Sequence, residues 1–159
     1  MPSRIIKTEL QRDNLFAFLG NEPLPLTITW QKGKHRTNEQ NRLQWLWAGE
    51  VSGYLGDTDA ATVQASMKLE IGVPILRAEN DDFREKYDRI IRPQTYEDKI
   101  TIMRDFDFPV TSLMKVPQMI AYLDSIWAKY TAIGIELTDP DPEMLAYMAR
   151  YRVNEGVEA

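Results

Sequence analysis

At 159 residues, with 43% apolar and 27% charged side chains, the chain is long enough to bury one core of its own. It has no cysteine and a single histidine, His35, which excludes disulfides and leaves a structural zinc site at most one strong nitrogen or sulfur ligand. The net charge of −5 argues against a uniformly basic nucleic-acid binder, yet the first 42 residues carry seven Lys and Arg against four Asp and Glu, so charge is segregated toward a basic N-terminal quarter.

In chain order, "RIIKTEL" is expected to form a short strand leading into a helix over Leu10–Leu19, stopped by Gly20 and Asn21. "LTITWQ", 26–31, alternates apolar and polar β-formers and is the best strand candidate, followed by a turn at Lys32-Gly33-Lys34. Thr37 with Gln40 three residues later fits a capping box, in which each side chain satisfies an amide at a helix start. That helix should run from Asn38 to Leu55, with Gly56 just past its end. "DTDAATVQASMKLEIG" predicts a second helix ending at Gly72, and shorter ones follow over Asp82–Ile90 and Tyr96–Asp105, divided by Arg92-Pro93. "FPVTSLM" reads as extended. Pro117 opens an amphipathic helix to Ile133, Gly134 ends it, "IEL" is a candidate strand, and Asp141-Pro142 opens a last helix through Arg152. Together these predict a single α+β domain over 1–159, mostly helical with a small sheet, with residues 139–159 as its C-terminal helix and tail.

Residues 1–20 lack a basic stretch followed by a long apolar one, and no apolar run reaches 18 residues. A soluble, cytoplasmic protein without a membrane span is expected. Catalysis has no constellation to stand on. A His-Asn-His nuclease needs a second histidine, no glycine-rich loop opens a helix, and no serine elbow is present. The carboxylate pairs Asp57/Asp59, Asp105/Asp107 and Asp139/Asp141 could present oxygens to Mg²⁺, but such residues also cap helices and make turns. No cofactor is implied.

The stretch "KHRTNEQNRLQWLW", 34–47, carries the functional signal. On a helical wheel Leu43, Leu46, Trp47, Val51 and Tyr54 share one stripe, the expected core face. Trp45 falls on the other side, close to Asn41 and Ser52 and flanked by Arg42, Ala48 and Gly49. Two explanations stand: a second helix or subunit packs there, or Trp45 is a stacking platform for a base beside Asn41, Gln44 and Arg42. Near the C-terminus, Met144, Tyr147, Met148 and Tyr151 form a core-like stripe that leaves Arg150 and Arg152 to other faces. Arg84, Lys86, Arg89 and Arg92 interleave with Asp82, Glu85 and Asp88, as on a solvated face.

Arg36-Thr37-x-x-Gln40-Asn41-Arg42-x-x-Trp45, followed by Val51-Ser52, resembles the signature of the NinB, or Orf, recombination proteins of lambdoid phages and prophages. The preceding "PLTITW", the "TSLMKV" at 111–116 and "LAYMARYR" at 145–152 resemble further family segments in the same order, whereas 73–108 aligns with little in it. The resemblance implies a non-catalytic α+β homodimer that binds single-stranded and gapped DNA, contacts the host single-strand-binding protein and assists recombinase loading. Carried over by position, it points to Arg36, Gln40, Asn41, Arg42 and Trp45, to Lys115, and to Tyr151 after Arg150. Lys32, Lys34 and Arg152 complete the candidate DNA-binding set as nearby cations. The alternative is a phage protein-interaction factor that acts on a host repair protein without touching DNA.

Overall fold

In the computed structural model, residues 4–30 and 35–158 are described, with backbone only at 35–38 and 153–158. Among them the fold is purely helical, which corrects the α+β expectation: no residue is in a strand and no sheet forms. The chain divides into two compact units, Met1–Asn38 and Glu39–Ala159.

The first unit holds α1, Glu9–Gly20, which a capping box opens as Thr8 and Gln11 satisfy each other's backbone amides at 3.2 Å. Asn21 follows as its C-cap. "LTIT" and Trp30 do not form the expected strand, and neither does "RIIK" before α1. Alternation fits a strand only where a partner ladder takes up its backbone groups, and no partner exists among the described residues. The lysine turn at 32–34 lies outside them.

The second unit contains most of α2, His35–Leu55, then α3, Ala60–Met67, a π-helical turn, Lys68–Gly72, and α4, Val73–Glu79. It continues through α5, Asp81–Ile90, α6, Tyr96–Asp105, a 3-10 turn, Thr111–Leu113, α7, Val116–Ala132, and α8, Pro142–Glu158. Four stop or start signals act as expected: Gly56 (φ +78°) and Gly134 (φ +93°) follow α2 and α7, Pro117 sits in the first turn of α7, and Asp141 accepts the Met144 amide at 2.7 Å to open α8. The Thr37 side chain, and with it the expected Thr37–Gln40 capping box, lies outside the described residues. α2 begins earlier, at His35, so Thr37 has helical backbone rather than the extended backbone of a cap.

Gly72 does not end a helix. Its φ of −67° and ψ of −46° are helical, and the chain runs from Ala60 to Glu79 as one rod. Pro74 would break an ordinary helix, because its ring crowds the carbonyl four residues back and it has no N–H to donate. The wider π turn relieves this, with the Val73 N–H bonding five residues back to the Lys68 carbonyl. Gly72 instead permits close packing: a Cβ there would lie 2.7 Å from Cγ1 of buried Val110. Val110 is held by the 3-10 turn that replaces the extended "FPVTSLM", through Leu113 N–H to Val110 O at 3.1 Å.

The rod separates two cores. Val63 and Met67 enter one with Trp47, Val51, Tyr122, Leu123, Ile126, Met144 and Met148, from α2, α7 and α8. Ala65, Leu69, Val73 and Leu76 enter the other with Phe83, Tyr87, Ile100 and Met103, from α5 and α6. "IEL" forms no strand. Ile135 and Leu137 are buried while Glu136 is exposed, and the next residue, Thr138, is bonded by side chains of α2. The Trp47 indole donates to its carbonyl at 2.8 Å, and the Glu50 carboxylate accepts from its amide at 3.0 Å and its hydroxyl at 3.0 Å. These bonds satisfy backbone groups that a neighbouring strand would otherwise take. No helix among the described residues is long and apolar enough to cross a membrane.

Gly72→Ala is expected to destabilise the protein by about 1–3 kcal/mol, the usual cost of overpacking a core. Urea unfolding measures it, and pairing the substitution with Val110→Ala should recover part of the loss.

Candidate nucleic-acid interface

α2 decides which of the motif residues reach solvent. Leu43, Trp47, Ala48 and Val51 are buried, and so are Gln40 and Gln44. Leu46 and Tyr54, expected in the core, are exposed. The buried stripe is therefore rotated by roughly 60° from the one apolar residues alone define, at 100° per residue. The cause is a polar core contact: Gln44 Nε2 donates to the buried Tyr122 hydroxyl at 2.9 Å. Gln40 Nε2 and Gln44 Oε1 are buried without a hydrogen-bond partner. Gln40 is thus removed from the candidate DNA contacts, since its amide faces the interior.

The opposite face carries Asn41, Arg42, Trp45, Gly49 and Gly53, all exposed. Trp45 is 43% exposed whereas Trp47 is 1% exposed. A Cβ placed on Gly49 or Gly53 would meet nothing within 4 Å, so the surface beside the Trp45 ring is open. Arg42 forms no ion pair among the described residues, and its charge is available to an anion.

The other candidates separate into two groups. Lys115, at the start of α7, and Arg150, on α8, are exposed. Arg152 is committed, its guanidinium bidentate on Asp124 with Nε to Oδ2 at 2.8 Å. Tyr151 is half-buried against the first core with its ring 5.0 Å from that of Tyr147 and tilted by 59° to it. Lys115 precedes Asp124 by nine residues, roughly 14 Å along α7. It therefore stands well away from the Arg152 end. Lys32 and Lys34 lie outside the described residues, as does the side chain of Arg36.

The acidic pairs have structural work. Asp59 caps α3 through the Thr62 amide at 2.8 Å, and Asp105 is bidentate with Arg104 at 2.8 and 3.1 Å. No group of three or more His, Asp or Glu among the described residues could hold a metal. On α5 the alternating charges pair within the helix: Asp82 with Lys86 at 3.0 Å and Glu85 with Arg89 at 3.1 Å. Arg77 of α4 forks onto Asp88 at 2.8 Å through both nitrogens.

Sequence reasoning did not single out Glu70, Tyr96 and Lys129. Tyr96 donates to Glu70 Oε1 at 2.9 Å, and Lys129 binds the other oxygen. Burial raises the Glu70 carboxyl, but the bonds from Lys129 and Tyr96 together outweigh it and hold the group below its ordinary 4.5. Burial, then the bond to Glu70, pushes the Tyr96 phenol up to about 12. The three residues are 26 and 59 positions apart from Glu70 and have no shared local pattern. Only helix docking brings them together.

Compared with protein-family models, with characterised proteins and with solved structures, the chain matches none.

Two pH effects follow. Because the folded pKa of Glu70 is depressed, its contribution to stability is present above the ordinary value of 4.5 and is lost as pH falls through the folded value. Glu70→Gln should flatten part of the acid limb of a stability–pH curve. In the alkaline range, the tyrosinate absorbance that Tyr96→Phe removes should titrate near pH 12 rather than 10; a difference spectrum centred at 10 would show that neither the burial of the phenol nor its bond to Glu70 persists in solution.

Proposed function

We propose that the protein binds single-stranded nucleic acid through the solvent face of α2, without catalysing a reaction on it. The observation that carries this is the exposed Trp45 ring beside open Gly49 and Gly53, with unpaired Arg42 and Asn41 on the same face. A base stacked on tryptophan contributes about 1–3 kcal/mol whatever its identity, and that matters most in a chain whose net charge repels phosphate. Arg42 holds a phosphate and Asn41 hydrogen-bonds a base or sugar, while Lys115 and Arg150 are exposed cations available to a longer strand. In the role the resemblance implies, the strand is single-stranded or gapped DNA in a bacterial host. The protein then acts as a homodimer that meets the host single-strand-binding protein and assists recombinase loading.

A second reading has its own observation. Trp45 and Leu46 are adjacent, apolar and exposed on a face that also carries two glycines. Such a surface also suits close packing against another protein's helix, as in a factor that acts on a host repair protein without DNA.

Labelled-oligonucleotide anisotropy separates the two. Trp45→Ala should weaken single-strand binding roughly tenfold while Trp45→Phe retains most of it, consistent with the worth of one stacked base. With about four phosphates neutralised, log K should fall with log salt at a slope of roughly −3, on the order of 50-fold between 50 and 200 mM. A flat salt dependence removes the electrostatic part of the proposal. No binding at micromolar protein favours the protein-interaction reading, and cleavage of the strand with Mg²⁺ contradicts both.

A further inference from the structure

Away from the α2 face, a cleft of about 480 Å³ lies between α3 and α6, within the range of small-molecule sites. Tyr96, Ile100 and Arg104 line it at helical spacing along α6, over eight residues or roughly 12 Å. Contacts between elements mark each end. Arg104 Nη1 donates to Thr62 Oγ1 at 3.1 Å near the start of α3, and Tyr96 reaches Glu70 in the π turn. Between them, Val51, Val63 and Ile100 give an apolar lining.

Four of the six hydroxyls along the cleft have their protons committed elsewhere and face it as acceptors, while the Tyr130 hydroxyl keeps a proton to donate. Ser66 donates its hydroxyl proton to the Val63 carbonyl at 2.8 Å, and Thr101 donates to the Glu97 carbonyl at 3.1 Å. Thr58 donates to Asp57 at 3.0 Å, and the Tyr96 proton is committed to Glu70. Each of these oxygens keeps lone pairs and has no proton left to give. The positive charge of Arg104 is paired with Asp105 through two bonds, and a third N–H goes to the neutral Thr62 hydroxyl. Glu97 is then the one charged group lining the cleft without a partner among the described residues.

We propose that this cleft binds a small organic cation, a primary ammonium carried on an aliphatic or aromatic frame. The ammonium's three N–H donors meet the Glu97 carboxylate and the hydroxyl lone pairs of Thr101 and Ser66, and the frame lies on Val63 and Ile100. An anion of the same shape is disfavoured: it faces the unpaired Glu97 carboxylate, whereas the Arg104 charge is already paired with Asp105. The contacts at either end limit the occupant to the length of a small molecule. The site is independent of the nucleic-acid proposal and shares no residue with it.

Three six-carbon probes test this at fixed ionic strength against isotope-labelled full-length protein: hexylammonium, 1-hexanol and hexanoate. Hexylammonium should shift the amide resonances of Ser66, Ile100 and Thr101 saturably, hexanol should bind roughly fivefold more weakly, the worth of one exposed ion pair, and hexanoate should leave them unmoved. Glu97→Gln should weaken hexylammonium by a similar roughly fivefold factor and leave hexanol unchanged. Glu97 is exposed in the first turn of α6, so the variant is expected to fold, and circular dichroism checks it. Equal binding of hexylammonium and hexanol, binding of hexanoate, or an unchanged affinity in Glu97→Gln overturns the proposal.

Discussion

The second unit depends on a single constraint: Ala60–Glu79 must pass through Gly72-Val73-Pro74 without breaking. Both cores are built on opposite sides of that rod, so a kink or a stop at Gly72 would part them. Two local devices keep it continuous. The π turn widens the backbone where proline would collide with it, and Gly72 leaves the space that Val110 fills. A π turn gives up regular α-helical hydrogen bonding, and tertiary packing on both sides sustains it here.

Fixing the rod also fixes α2. Once Trp47 and Glu50 hold the backbone of Thr138, and Gln44 holds the Tyr122 hydroxyl, the rotation of α2 about its own axis is set. Trp45, two positions before Trp47 and so roughly 200° around the helix, then faces outward. Its exposure follows from core bonds made on the other side. The placement of the candidate interface is in this sense a by-product of polar packing, with two unpaired buried amide atoms as its cost.

Charge on this protein is largely spent internally. Arg77, Arg84, Lys86, Arg89, Arg104, Lys129 and Arg152 each have a carboxylate partner. Among the described residues, Arg42 beside Trp45, Lys115 and Arg150 are exposed cations without a carboxylate partner, and Glu97 in the cleft is a carboxylate without a cationic one. An acidic protein can still present a cationic, aromatic surface when many of its other basic groups are neutralised in place. Exposed pairs of this kind add little stability. Their main effect is to narrow where an anion or a cation can approach.

Much of the helical layout was legible in the sequence because its signals are local. Asn21, Gly56, Pro117, Gly134 and Asp141 act at helix ends through backbone geometry that needs no partner, and the two-residue offset of Trp45 and Trp47 separates their faces in any helix. The strands were not legible. Alternation at 26–31 and 135–137 describes a chain that could pair, and pairing is a property of a second segment. Gly72 was misread for a related reason: a glycine before a proline resembles a helix end, and only the approach of Val110 reveals it as a packing space. Gln40 and Gln44 look like surface residues until Tyr122, 78 positions after Gln44, places a hydroxyl within reach. The sequence by itself determined where helices start and stop, since those are bonds between near neighbours. The tertiary structure decided which faces are buried and which charges are paired, because each depends on partners that only folding brings together.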